Sequence, residues 1–129
     1  MTSLRVVDSI TELTSHDAGC IAVSGSHGGR SAAHYAIAAR PLLSVFNDAG
    51  IGKDGAGIAA LALLQAEGLA AAIVGHDSAR IGEAASTLHD GVICHANAAA
   101  QALGVAVGQS CDAAVRRLAA GTPPATIGA

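Results

Sequence analysis

The sequence predicts a three-layer α/β/α sandwich built on a mainly parallel sheet of about five strands. Three observations point there. Short apolar runs with no charge at their centres alternate with helical stretches, the connections between them are short, and glycine or a capping residue marks most junctions. Strands that read as continuous apolar runs are buried on both faces, which requires a helical layer on each side of the sheet.

Leu4 to Val7 reads as the first short strand. Ser9 and Glu12 have the S-x-x-E spacing of a capping box, which starts a short helix at Ile10. Gly19 to Val23 is the second strand. It belongs to the stretch that organises the chain, Ile21 to Ser31, where an apolar strand runs through Ser-Gly-Ser-His-Gly-Gly into an alanine-rich helix. That helix spans Ser31 to Ala39, and Pro41 stops it. Leu42 to Phe46 is the next strand, Asn47 to Gly55 a loop punctuated by glycines, and Gly57 to Glu67 a helix ended by Gly68.

Leu69 to Gly75 is a buried-type strand, and Ser78 is placed to cap a helix running to His89, before Asp90-Gly91. Val92 to Cys94 is the last strand, followed by helices over Asn97 to Leu103 and Ser110 to Ala119. The expected unit is a single α/β domain over residues 1–121, Rossmann-like or flavodoxin-like in its layers, with a frayed tail over 122–129.

Composition narrows the function classes. With 51% hydrophobic and 13% charged residues the chain is not disordered, and no apolar run reaches the roughly 18 residues of a membrane span. The net charge is −3 and the seven basic residues are scattered, so nucleic acid is an unsuitable partner. Cys20, Cys94 and Cys111 are an odd set without C-x-x-C spacing, and the first residues lack a signal-type apolar core; both features predict reduced thiols and a cytoplasmic location. The helices over Ser31 to Ala39 and Gly57 to Ala66 carry no charge, which predicts a homo-oligomer packed through these alanine-rich surfaces.

Ligands of open parallel sheets bind beyond the carboxyl ends of the strands, usually where strand order reverses. The residues expected at that edge are Ser24, Ser26 and His27 after one strand, Asn47 and Asp48 after the next, His76, Asp77, Ser78 and Arg80 after the third, and Cys94 and His95 after the fourth. His16, His34 and His89 are expected to lie away from it.

Small residues two positions either side of Ser26 match the spacing of a nucleophile elbow, and the order Ser26, Asp48, then His76 or His95 raises a serine-nucleophile hydrolase. The stronger reading of the same turn has Ser26, His27 and the amides of Gly28 and Gly29 cradling a carboxylate or phosphate. Arg80 is the residue best suited to fork onto such an anion. Cys94, beside His95, is read as a small hydrophobe at the substrate edge, with a nucleophilic thiolate as the alternative.

The expected site therefore has His27, Asp48, His76 and Ser26 as catalytic groups. Ser24, Gly28, Gly29, Asn47, Ser78, Arg80, Cys94 and His95 are expected to bind the substrate. The expected function is a small enzyme acting on a compact anionic metabolite by general acid/base chemistry of hydrolase, lyase or isomerase type. A non-catalytic ligand-binding or assembly subunit is the rival class.

No cofactor is expected. Gly50-Ile51-Gly52-Lys53-Asp54-Gly55 spells the G-x-G-x-x-G of NAD sites, but three residues separate it from the strand. A divalent metal would need His27, Asp48, His76 and His95 to converge from four strand ends. Strand order decides whether Asp48 and His76 can pair: adjacent strands allow it, and an intervening Ser26 turn makes it harder.

Overall fold

The computed structural model describes residues 2–121; the tail expected over 122–129 lies outside them. Five strands, β1 Leu4–Val7, β2 Ile21–His27, β3 Leu43–Asn47, β4 Ala70–Val74 and β5 Ile93–Ala96, form one sheet in the order β1-β2-β3-β4-β5. The first four are mutually parallel, and β5 is antiparallel to β4. Five helices accompany them: α1 Arg30–Ala39, α2 Ala60–Ala66, α3 Ala84–Asp90, α4 Ala98–Ala102 and α5 Cys111–Ala119.

The winding explains the layers. Right-handed crossovers that always step to the next strand on the same side leave every connection on one face. That face carries the 3-10 turns at Ile10–Glu12 and Ser15–Asp17 together with α1 and α2, packed over Ala22, Phe46, Ala71 and Ile73. The last three helices cover the second face over Ile21, Val23, Leu43, Val45, Ala72 and Val74. Neighbours along β2, β3 and β4 thus go alternately to the two cores, the period-two pattern of strands buried on both sides, while the edge strand β1 buries only Val7.

One side chain of the first core is out of place. Ser44 is 1% exposed, and its Oγ has no hydrogen-bond partner among the described residues. Its lateral neighbours are Ala22 and Ala71. A buried hydroxyl without a partner costs stability. Ser44→Ala is expected to stabilise the fold by about 1 kcal/mol in a denaturant melt; a loss of similar size would show that the hydroxyl is satisfied.

The parallel strands follow sequence order without reversal, unlike the doubly wound dinucleotide- and flavin-binding sheets. Among the described strands there is no switch-point crevice, so a cleft at the carboxyl edge has to be built by loops. The direction of β5 has a similar origin. After β4 the chain turns at the carboxyl edge, sends α3 across β1, β2 and β3, and returns to the same edge, where the Gly75 amide donates to the Val92 carbonyl at 3.2 Å. A strand starting at the edge where its neighbour ends is antiparallel to it.

Helix starts differ from expectation in two places. A 3-10 turn, Lys53–Ile58, precedes α2, which therefore starts at Ala60 rather than Gly57. Ser78 does not cap α3: its Oγ donates to the Gly75 carbonyl at 2.9 Å and accepts from the Val92 amide at 3.0 Å, so it pins the turn to β5. The cap comes from far away in sequence, Asp8 Oδ1 accepting from the Ala84 amide at 2.9 Å. Residues 75–83 are laid against β2, where the Gly82 amide donates to the Gly25 carbonyl at 2.7 Å. Any side chain on Gly25 would run into the backbone of Gly82 and Glu83.

Candidate functional site

Asp48 follows the last residue of β3, and His76 follows β4 by two. Because β3 and β4 are neighbours in register, the two residues emerge side by side. Asp48 is buried, and a single oxygen, Oδ1, accepts from the Gly50 amide at 2.8 Å and the His76 amide at 3.0 Å, with His76 Nδ1 at 2.9 Å. Burial pushes this carboxyl up. The amides of Gly50 and His76, the imidazole hydrogen bond and the imidazole charge together outweigh burial and hold it below its ordinary value.

An ionised carboxylate only accepts hydrogen bonds, so Nδ1 carries the proton and donates to it. In the neutral ring this leaves the Nε2 lone pair free. The His76 side chain is 54% exposed, so Nε2 is open to a ligand.

Cys94, on β5, completes the back of the pair. Its Sγ lies 3.8 Å from the other carboxylate oxygen, Asp48 Oδ2, and 3.4 Å from the Ile73 carbonyl. Burial and the Asp48 charge push this thiol up to about 11, so it is a protonated neighbour of the carboxylate rather than a nucleophile. Cys111 is pushed up to about 12 by burial and Asp112, and Cys20 is raised by burial and Asp17.

His76 opens into a polar cleft of about 510 Å³. Its loop wall is His76, Asp77, Ser78, Ala79 and Arg80, and its helix wall is Glu83, Ala85, Ser86, His89 and Asp90 of α3 and its cap. Arg80 is 79% exposed and only loosely held by Glu83, at 3.8 Å. The Arg80 amide donates to Ser86 Oγ at 2.9 Å, and Ser86 Oγ donates to Asp90 at 3.1 Å, which ties loop to helix.

Several of the expected site residues are committed elsewhere. Ser24 is fully buried and its Oγ donates to the Val45 carbonyl at 2.8 Å. Ser26 lies within β2, before the turn, and its Oγ accepts from the Ile10 amide at 2.9 Å, so the elbow geometry is absent at this serine. The amides proposed to cradle an anion are also spent: Gly28 donates to the Asn47 carbonyl at 2.9 Å and Gly29 to the His27 carbonyl at 2.8 Å.

Asn47 is fully buried, donating to the Ala79 carbonyl at 3.0 Å and accepting from the Ala49 amide at 2.7 Å. It positions Asp48 and the 76–80 loop instead of meeting a ligand. His27 is exposed at the end of β2, its ring beside Gly29 and outside the cleft. His95 is carried into β5 opposite Ile73, because that strand runs away from the edge on which it was expected. Asp48, His76, Ser78, Arg80 and Cys94 are thus brought together, with Ser78 as a structural pin.

His89 and Asp90 were not expected here. They reach the cleft because α3 returns to the edge it left, and the only sequence cue was the closeness of Asp90-Gly91 to the next strand. Among the described residues no three His, Cys, Asp or Glu side chains are grouped to hold a metal ion. The glycine-spaced loop departs from the geometry of a dinucleotide turn. Gly50, Gly52 and Gly55 all take left-handed backbone, Ile51 joins them at φ 69°, and a 3-10 turn intervenes before α2. A pyrophosphate needs the helix to begin at the glycine turn itself.

The lowered Asp48 carboxyl has a consequence for stability. The folded state holds this proton less tightly than the unfolded chain, whose ordinary value is 3.8. The contribution is complete above that value and is lost as pH falls through the lower folded one. The stability gap between wild type and Asp48→Asn is therefore expected to shrink on acidification from about pH 6 to about pH 2. A gap constant across that range would show that Asp48 titrates normally.

No helix among the described residues is long and apolar enough to cross a membrane. Set against models of protein families, against curated proteins and against solved structures, the chain has no match in any of the three.

Proposed function

We propose that the protein is a small-molecule enzyme in which the Asp48–His76 pair transfers protons to and from a compact metabolite bound in the cleft between residues 76–80 and α3. The observation that carries this reading is the 2.9 Å contact of His76 Nδ1 with a buried carboxylate, beside a cleft of about 510 Å³. A buried carboxylate that sets the tautomer of a half-exposed imidazole is the arrangement general acid/base catalysis uses. The chemistry is of lyase, isomerase or hydrolase type, without Ser26 as nucleophile.

Arg80 is the cation a carboxylate or phosphate of the substrate would meet, since its loose pair with Glu83 exchanges readily for a ligand oxygen. Asp77, Glu83 and Asp90 on the same walls repel dense negative charge, which favours ligands with one anionic group over polyanions. A cytoplasmic location and self-association through α1 and α2 belong to the same proposal. The three cysteines are unpaired, Tyr35 on α1 is exposed, and α2 carries no charged residue.

A dye-based melting screen tests the reading, the dye being needed because the chain has no Trp. The panel is inorganic phosphate with small mono- and dicarboxylates. A ligand at one hundred times its Kd adds about 2.7 kcal/mol to the folded state, a shift of several degrees. The expected result is a shift with a monoanion that disappears in Arg80→Ala. No shift with any compound favours the rival, a non-catalytic binding or assembly subunit.

A further inference from the structure

We infer that His89 is a second proton-transfer residue of this cleft, so that the ligand is held between two imidazoles, one from the 76–80 loop and one from α3. The inference rests on the proposed acid/base reading and adds to it a residue and a reaction class. Ser86, His89 and Asp90 are three and four positions apart, so they share one stripe of α3, and that stripe forms the helix wall of the cleft. His76 and His89 therefore face one space, which is about 10 Å across if treated as a sphere, the scale of a compact ligand.

The two rings are held differently. His76 is locked by Asp48, so its Nε2 is available to take a proton, whereas no side chain fixes the tautomer of His89 among the described residues. The other reactive groups nearby are already engaged. Ser78 Oγ is shared between the Gly75 carbonyl and the Val92 amide, Ser86 Oγ between the Arg80 amide and Asp90, and the Cys94 thiol faces inward on Asp48. With the hydroxyls and the thiol committed, two imidazoles carry the chemistry without a covalent intermediate.

The reaction this pairing suits is enolisation of a carbonyl compound that also bears a carboxylate. His76 Nε2 takes a hydrogen from the carbon next to the carbonyl, and the C–H electron pair becomes the new carbon–carbon double bond. Protonated His89 gives its proton to the carbonyl oxygen. His76 ends protonated and His89 neutral, and reversal or exchange with water restores both, so no oxidant, reductant or co-reactant is consumed. Arg80 would hold the carboxylate meanwhile.

Pyruvate is the probe, because it is compact, carries a single negative charge and has exchangeable methyl hydrogens beside its carbonyl. Nitrogen-detected NMR of the whole protein follows each imidazole while pyruvate is added in D2O, and proton spectra follow deuterium entering the methyl group. The expected result is that His76 and His89 signals move along one saturation curve while His16 and His34 stay still, with methyl exchange faster than without protein.

His89→Ala is expected to slow the exchange about 100-fold. His89→Gln, which keeps an N–H donor but cannot pass on a proton, is expected to bind pyruvate without restoring exchange. Movement of His76 alone, or full exchange in His89→Ala, overturns the inference and leaves the Asp48–His76 reading in place. Movement of neither ring overturns both.

Discussion

Asn97→Ala is expected to cost about 3 kcal/mol of stability and to lower the melting temperature by roughly 10 °C. Asn97 is 8% exposed and caps α4, its Oδ1 accepting from the Ala100 amide at 2.9 Å and from the Ala71 amide of β4 at 3.0 Å. Its Nδ2 donates to the Leu69 carbonyl at 3.0 Å and the Leu61 carbonyl at 3.2 Å. One side chain thus joins α4, β4 and α2, and truncation leaves two carbonyls and two amides short of partners in a buried place. Asn97→Asp keeps the acceptor but turns a carboxylate toward two carbonyls, so its loss should be at least as large. A denaturant melt with a loss below about 1 kcal/mol would mean that water replaces the side chain at little cost.

His76→Ala is expected to lower turnover of a substrate found through the anion screen by about 1,000-fold while costing only about 1 kcal/mol of stability, from the hydrogen bond that Asp48 loses. The ring is half exposed, so its packing contribution is small. Asp48→Asn should give a comparable loss by a different route. The amide oxygen can still accept from the Gly50 and His76 amides, which preserves the loop, but the side chain can no longer hold Nδ1 as a donor to a charge. Turnover unchanged in both variants would remove the pair from the chemistry. Loss of folding in both would assign it a structural role.

Much of the architecture was legible because strands buried on both faces must be charge-free, and Ile21–Val23, Leu43–Phe46 and Ala70–Val74 are, whereas the edge strand Leu4–Val7 carries Arg5 and leaves Leu4 and Val6 exposed. Caps were legible where the partner is local: the Ser9–Glu12 box acts as its spacing implies, while Asn97 and Ser110, read as the first residues of their helices, turn out to be the N-caps. Ser78 misled because a hydroxyl after a strand can cap a helix or pin a turn, and only the nearness of Val92 decides between them. The cap of α3 was hidden for the same reason, since Asp8 is 76 residues from Ala84 in sequence.

The candidate site was legible in its centre and not around it. Asp48 and His76 could be named as a pair conditional on strand order, and sequential order satisfies the condition. Ser24, Ser26 and Asn47 looked functional because they are polar residues at strand ends, but in a sheet with a β-bulge and crossing loops those groups are needed to satisfy backbone. His95 and His89 exchanged places relative to expectation. Both follow from the return of α3 to the carboxyl edge, a tertiary feature that no local pattern in residues 76–95 encodes.

The most direct test of the central claim is the tautomer of His76, read by long-range proton–nitrogen NMR at neutral pH. The expected result is a proton on Nδ1 and a bare Nε2 in the neutral ring, with that preference lost in Asp48→Asn. A neutral ring protonated on Nε2 in the wild type would contradict it, because the buried carboxylate would then not be orienting the base.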